Sequence, residues 1–262
     1  METIRKPAEA PVPLAEQRRR HLPAGAALGW LSAGWRDLWR NPLPSLFYGL
    51  AVFLLSVAVV WCLFHMELDY ILFPALAGFM VVGPLVAVGL YRKSRDLEEG
   101  APTSLSRMIF VKAASGGQVW YTGAILCLLM LVWMRAAVII YALFMGLRPF
   151  PGLDHVVAML FGTPEGLGML IVGTAVGGLF AAFSFAISTF AIPMLLAERT
   201  DAFTAMGTSI SLVFRNLPVM LAWGAIVLAL TLIGIATGLV GLIVIFPLLG
   251  HGTWHSYRAV RG

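Results

Sequence analysis

The chain alternates between long apolar runs and short polar breaks, and two of the breaks are alike. Near the start, Leu28, Leu31, Trp35, Leu38 and Trp39 recur at helical spacing and lead into Arg40-Asn41, where an apolar run begins. In the last quarter Phe203, Met206, Ile210, Val213 and Phe214 lead into Arg215-Asn216 and another such run, 175 positions later. At 100° per residue the first set falls within one arc of about 100°, with Arg36, Asp37 and Arg40 on another side. This period predicts amphipathic helices over 24–40 and 202–215, each lying at a membrane interface and feeding a hairpin. The first helix fits equally well as one packed on its own bundle.

The apolar runs predict six spans, at about 44–64, 70–91, 119–146, 164–196, 217–237 and 239–254. The first five reach the length of about 20 residues that crosses a hydrocarbon core of about 30 Å. His65 to Asp69 is a polar turn, and Arg92 to Gly100 reads as a charged connection followed by a short helix over 103–114. The fourth span opens on Thr163-Pro164-Glu165, an N-cap, a proline at the first helical position and an acid in the first turn. One unbroken helix from 217 to 254 would run about 57 Å at 1.5 Å per residue, so a hairpin turning near Gly238 and Gly241 is expected. Three hairpins then each carry a late proline, Pro84, Pro193 or Pro247. The expected fold is all-α: a polytopic membrane helix bundle of about six transmembrane helices in three hairpins, with amphipathic interfacial helices. Residues 1–23, with four prolines and Arg18-Arg19-Arg20, read as a disordered basic tail without a cleavable signal peptide. Residues 24–262 read as a single transmembrane domain.

Composition agrees with this pattern. Apolar residues make up 60% of the 262 and charged ones 12%, against about 25% charge in a soluble domain. Cys62 and Cys127 fall inside apolar runs and are expected as buried packing thiols. The net charge of +5 would suggest nucleic acid if it were clustered on one soluble face. Instead, sixteen of the eighteen Lys and Arg residues fall on one side of the six-span arrangement, leaving only Arg148 opposite and Arg135 inside the membrane. This bias predicts cytoplasmic termini in a bacterial inner membrane. It also makes the lipid bilayer, with anionic lipids on the cytoplasmic side, the expected partner. No nucleic acid is expected.

Leu46-Phe47-Tyr48-Gly49, Val82-Gly83-Pro84-Leu85, Thr163-Pro164-Glu165-Gly166-Leu167 and Phe246-Pro247-Leu248-Leu249-Gly250-His251 carry a resemblance. In these the chain resembles a bacterial family of predicted integral membrane proteins, a domain of unknown function, over roughly residues 25–260. Some members of that family are labelled putative cytochrome c oxidase subunits. The resemblance implies a multi-span membrane protein and no site residues. A catalytic haem–copper subunit is excluded by the histidine content, since only His21, His65, His155, His251 and His255 are present.

His251 and His255 lie four apart on one helical face, a weak candidate metal pair that lacks further donors. Arg135 is the candidate intramembrane functional residue, set between Leu128-to-Met134 and Ala136-to-Ile140. A lipid-facing arginine at mid-depth costs about 2.5–3.5 kcal/mol on insertion scales, so Asp69 or Glu165 is its expected partner unless it snorkels to the periplasmic interface. Gly173-x-x-x-Gly177 and Gly234-x-x-x-Gly238 allow close helix contacts. No nucleotide, nucleophile or metalloprotease motif is present, and no catalytic residue, cofactor or metal is expected. The functional expectation is a non-catalytic inner-membrane protein acting through lipid or another membrane protein complex. The alternatives are a small-solute transporter or channel with a site near Arg135, and an accessory or assembly subunit of a respiratory oxidase.

Overall fold

The computed structural model describes residues 22–146, 148 and 150–261, so nearly all of the expected basic tail, His21 included, lies outside the described residues. No strand occurs among the described residues. Helix α1 (Ala26–Arg40) is followed at once by α2 (Pro42–His65), and a 3-10 turn (Asp69–Ile71) leads to α3 (Leu72–Val86) and α4 (Val88–Glu98). A short α5 (Leu105–Ile109) precedes α6 (Gln118–Met145), α7 (Leu153–Gly162), α8 (Pro164–Ser188) and α9 (Ala191–Ala197). Helix α10 (Ala202–Arg215) then feeds the hairpin of α11 (Leu217–Ala236) and α12 (Leu242–Arg261).

The two repeated breaks form the same junction. Asn41 and Asn216 each end a surface helix and begin a span, with a proline at the first or second position of the new helix. A proline costs nothing there because those amides have no helical partner. The asparagine side chains then tie the junctions down: Asn41 donates to Thr103 Oγ1 at 2.8 Å, and Asn216 donates to the Leu212 carbonyl while accepting from the Leu22 amide. The expected N-cap is also present, Thr163 Oγ1 accepting from the Gly166 amide at 3.0 Å.

Five helical segments are long and apolar enough to cross a membrane: 42–65, 69–98, 118–145, 164–197 and 217–236. In their most apolar windows only 11–28% of residues are buried by protein, which leaves the remainder for lipid to cover. The expected sixth span is not among these five segments. Helix α12 starts at Leu242 and is apolar only as far as Leu249, after which His251, Thr253, His255 and Ser256 follow. It tolerates these because it is enclosed by α1, α2, α4 and α11. The hairpin itself is present, turning through Gly238 (φ +65°) and Leu239 (φ +70°).

Other boundaries shift for local reasons. Arg92 to Glu98 is helix α4 and not a loop, and Lys93, Ser94 and Asp96 on it are buried. The short helix over 103–114 shrinks to α5, capped by Ser104. Helix α7 is an element that the apolar pattern does not reveal. Cys62 and Cys127 are exposed, on stretches that face lipid. Of the small-residue pairs, Gly177 lies under Trp133 and Gly234 under Leu242, whereas Gly173 meets open space and Gly238 serves the turn.

The break between α8 and α9 has a visible cause. Ser209 of α10 donates to the Ala186 carbonyl at 2.7 Å and accepts from the Phe190 amide at 3.2 Å. Those two groups would otherwise bond to each other, so the hydroxyl has entered the helix ladder and splits it. Helix α10 accordingly buries Ala202, Ala205, Met206, Ser209, Leu212 and Val213 and leaves Phe203 and Phe214 exposed.

Candidate functional site

Parts of α1, α2, α4 and α12 meet around a buried polar network. Small residues make the meeting possible. A Cβ on Gly34 would stand 2.6 Å from the Gly252 amide nitrogen, and one on Gly252 would stand 2.6 Å from the Trp223 ring. The glycines flanking His251 therefore let α1, α4 and α11 close around the imidazole, which is fully buried.

Lys93 is fully buried as well, and its Nζ donates to the Asn41 carbonyl at 2.6 Å and to Ser45 Oγ at 2.7 Å. A lysine ammonium can only donate, which sets the direction of the remaining bonds. Ser45 turns its own hydrogen to His251 Nε2, at 2.9 Å. His251 then carries its proton on Nδ1 and donates to Ser94 Oγ at 2.8 Å. One turn further, His255 Nε2 meets Asp37 Oδ2 at 2.8 Å. A string of polar groups thus runs from Asp37 and His255, near the surface, to an ammonium inside the bundle.

Asp37 is the charged end of that string. Burial alone would raise its carboxyl, but hydrogen bonds from His255 and Ser94 and the nearby imidazoles outweigh burial and hold it below the ordinary range. A carboxylate depressed in the folded state adds stability that is full above its unfolded value and is lost as pH falls through the folded one. The melting-temperature advantage of the native protein over Asp37→Asn is therefore expected to be constant from pH 7 down to about pH 5. It should shrink below the ordinary aspartate value of 3.8, and thermal melts across that series check it.

Ion pairs surround the network on the same face. Asp96, buried on α4, takes Arg107 through both carboxylate oxygens at 2.8 and 3.0 Å and Arg92 at 2.9 Å. Glu198 accepts from Tyr257 and from both arms of Arg261. Glu98 faces Arg258 at 3.2 Å. Outside these pairs a groove of about 720 Å³ opens between α1, α4 and α12, lined by Trp35, Arg36, Asp37, Trp39, Arg40 and Glu98, with His255 at its base.

His251 and His255 are therefore both at this site, but as hydrogen-bonding groups on Ser45, Ser94 and Asp37. No group of three or more His, Cys, Asp or Glu side chains that could hold a metal occurs among the described residues. Arg135 is elsewhere. It is exposed on α6, two residues beyond Trp133, whose indole donates to the Pro74 carbonyl at 3.0 Å. Pro74 is the third residue of α3, so Arg135 stands level with the polar turn that holds Glu67 and Asp69, at the end of the first hairpin. No ion pair joins it to Asp69 or Glu165 among the described residues.

Sequence reasoning missed Lys93, Ser94, Ser45 and Asp37. By composition Lys93 reads as a loop charge. The available signal is that Lys93-Ser94 continues the helical register of the preceding span without a turn residue between them.

The segment 72–197 runs from α3 through α9, and it matches the model of a family described as predicted integral membrane protein (DUF2189). It contributes Lys93, Ser94, Asp96 and Glu98 to the site, whereas Asp37, Ser45, His251 and His255 come from helices outside the DUF2189 match. The DUF2189 match is narrower than the resemblance over 25–260 implied. No curated protein and no solved structure matches the chain.

Proposed function

We propose that this protein is a non-catalytic component of a bacterial inner membrane, with both termini cytoplasmic, that acts through its contact with the cytoplasmic leaflet. The observation that carries this reading is the belt of exposed aromatic side chains on the face where the polar network lies. Trp35 and Trp39 on α1, Phe110 after α5, Trp120 and Tyr121 at the start of α6, and Phe203 and Phe214 on α10 are all between 47% and 78% exposed. Tryptophan and tyrosine favour the headgroup level, where a ring with an apolar body and a polar edge has both phases in reach. Exposed cations stand among them, Arg36, Arg40 and Lys112.

Both surface helices support the reading in the same way. Helix α1 turns Ala27, Trp30, Gly34, Asp37 and Leu38 to the bundle and keeps Leu28, Trp35 and Trp39 outside. It is packed on the protein and still has an apolar edge left over for the membrane. The buried network behind it consists of saturated hydrogen bonds with Ser45, Lys93 and His251 closed to solvent, an arrangement suited to locking helices together.

Purification in mild detergent, with quantification of lipids and proteins that co-elute, tests the proposal. The expected result is retained phospholipid enriched in anionic species, without a stoichiometric protein partner. A lipid-free particle carrying a stoichiometric partner would overturn it.

A further inference from the structure

We propose that the groove between α1, α4 and α12 binds the phosphate of an anionic glycerophospholipid from the cytoplasmic leaflet, with Arg36 and Arg40 as its ligands. The inference rests on the membrane-contact reading above and names the site and the ligand chemistry. It begins from two unpartnered cations. The acidic side chains in the groove already have partners, Asp37 hydrogen-bonded to His255 at 2.8 Å and Glu98 paired with Arg258 at 3.2 Å. Arg36 and Arg40 line the same groove, are exposed, and make no ion pair or hydrogen bond among the described residues. These two guanidiniums are thus the groups of the groove left to bind an anion.

Their spacing sharpens the point. Residues four apart on a helix are neighbours on its surface, and like charges there repel and destabilise it. The negative end of the helix dipole at the close of α1 offsets part of that repulsion. A phosphate between the two would convert repulsion into a pair of charge-assisted hydrogen bonds, and the planar guanidinium fork matches its oxygens.

The surroundings select a lipid over a free anion. Trp35 and Trp39 wall the groove with their rings in edge contact at 5.5 Å, and both stay about half exposed. Such rings suit a site at headgroup depth better than one in open water. One residue beyond Arg40 and Asn41 the chain enters the first membrane span, which exposes Leu43 and Phe47 on its opening turns. A phosphate held at the end of α1 therefore sits where the headgroup region meets the acyl region.

The test uses the full-length protein in nanodiscs of phosphatidylcholine with and without phosphatidylglycerol, followed by release and native mass spectrometry of retained lipid. Phosphatidylglycerol is expected to be retained in preference to phosphatidylcholine. The variant carrying Arg36→Gln and Arg40→Gln should lose about thirtyfold in that preference, since each basic residue near an anionic surface contributes about fivefold. Melting temperature monitors folding, and because both arginines are exposed it should change little. A comparison variant with Phe203→Ser and Phe214→Ser, which belong to the aromatic belt and do not line the groove, should retain less lipid in total but keep the preference.

Retention that is indifferent to the two arginines but lost in the Phe203/Phe214 variant overturns the groove while leaving the membrane-contact reading standing. Equal retention of the two lipids by the native protein overturns the ligand assignment. Inorganic phosphate and glycerol 3-phosphate form the remaining arm. If either raises the melting temperature at concentrations as low as phosphatidylglycerol does, the ligand is soluble and the lipid assignment fails.

Discussion

Replacing His251 with Phe is expected to give the largest loss of stability of any single side-chain change in the buried polar network. The imidazole joins two hydroxyls, accepting from Ser45 at 2.9 Å and donating to Ser94 at 2.8 Å, and all three side chains are fully buried. A phenyl ring fills similar space but leaves both hydroxyls without that partner, at about 1–3 kcal/mol for each unsatisfied group. Lys93 would keep its bonds to the Asn41 carbonyl and Ser45, so the ammonium itself is not stranded. The expected total is about 3–4 kcal/mol, read as a fall in melting temperature in detergent. His251→Gln should recover part of it, because an amide both accepts and donates. Adding Ser94→Ala to His251→Phe should then cost less than Ser94→Ala does alone, since its His251 partner is already gone, whereas Ser45 is kept because it also holds the Lys93 ammonium. Additive losses would show that His251 and Ser94 act independently.

Gly49→Val is the second large effect. A Cβ at Gly49 would collide with the Ile243 carbonyl and stand 2.9 Å from the Pro247 ring. That carbonyl is available because Pro247, four residues on, has no amide hydrogen to occupy it. The glycine on α2 thus fits against the place where the proline opens α12, and the backbone atoms it meets cannot swing aside. Overpacking of this kind costs about 1–3 kcal/mol, occasionally more, and here it separates the helices that hold Ser45 and His251. A lowered melting temperature and a loss of the monodisperse particle are expected. Gly29→Ala is the contrasting case. A Cβ there meets nothing within 4 Å, so the substitution should stabilise α1 by up to about 1 kcal/mol through lost freedom of the unfolded chain.

Much of the architecture was legible because it obeys local rules. Apolar runs of span length, the capping triplet at Thr163 and the Arg-Asn breaks each depend on residues adjacent in the chain, and each appears in the structure at or near its expected place. The last helix is of another kind. By mean hydropathy the stretch beyond Leu249 turns polar, yet Gly250, Gly252, Thr253, Trp254 and Ser256 are buried. Hydropathy scores a residue against lipid or water, whereas these residues are surrounded by protein, and the hydroxyls of Thr253 and Ser256 bond to backbone carbonyls of their own helix.

The site was legible only in part. His251 and His255 stood out as a pair four apart, but their partners are 206 and 218 positions away, at Ser45 and Asp37. Arg135 drew attention through the apolar residues around it, and the structure leaves it exposed, two residues beyond the Trp133–Pro74 contact that joins α6 to α3. Local composition determined the all-helical membrane class and the capped start of α8, because burial in lipid and satisfaction of backbone bonds act segment by segment. Tertiary structure alone decided which polar residues are buried together and how deep each charge lies. Those properties depend on the relative heights of packed helices, and these are set by glycine and proline contacts between distant segments such as Gly34 with Gly252 and Gly49 with Ile243.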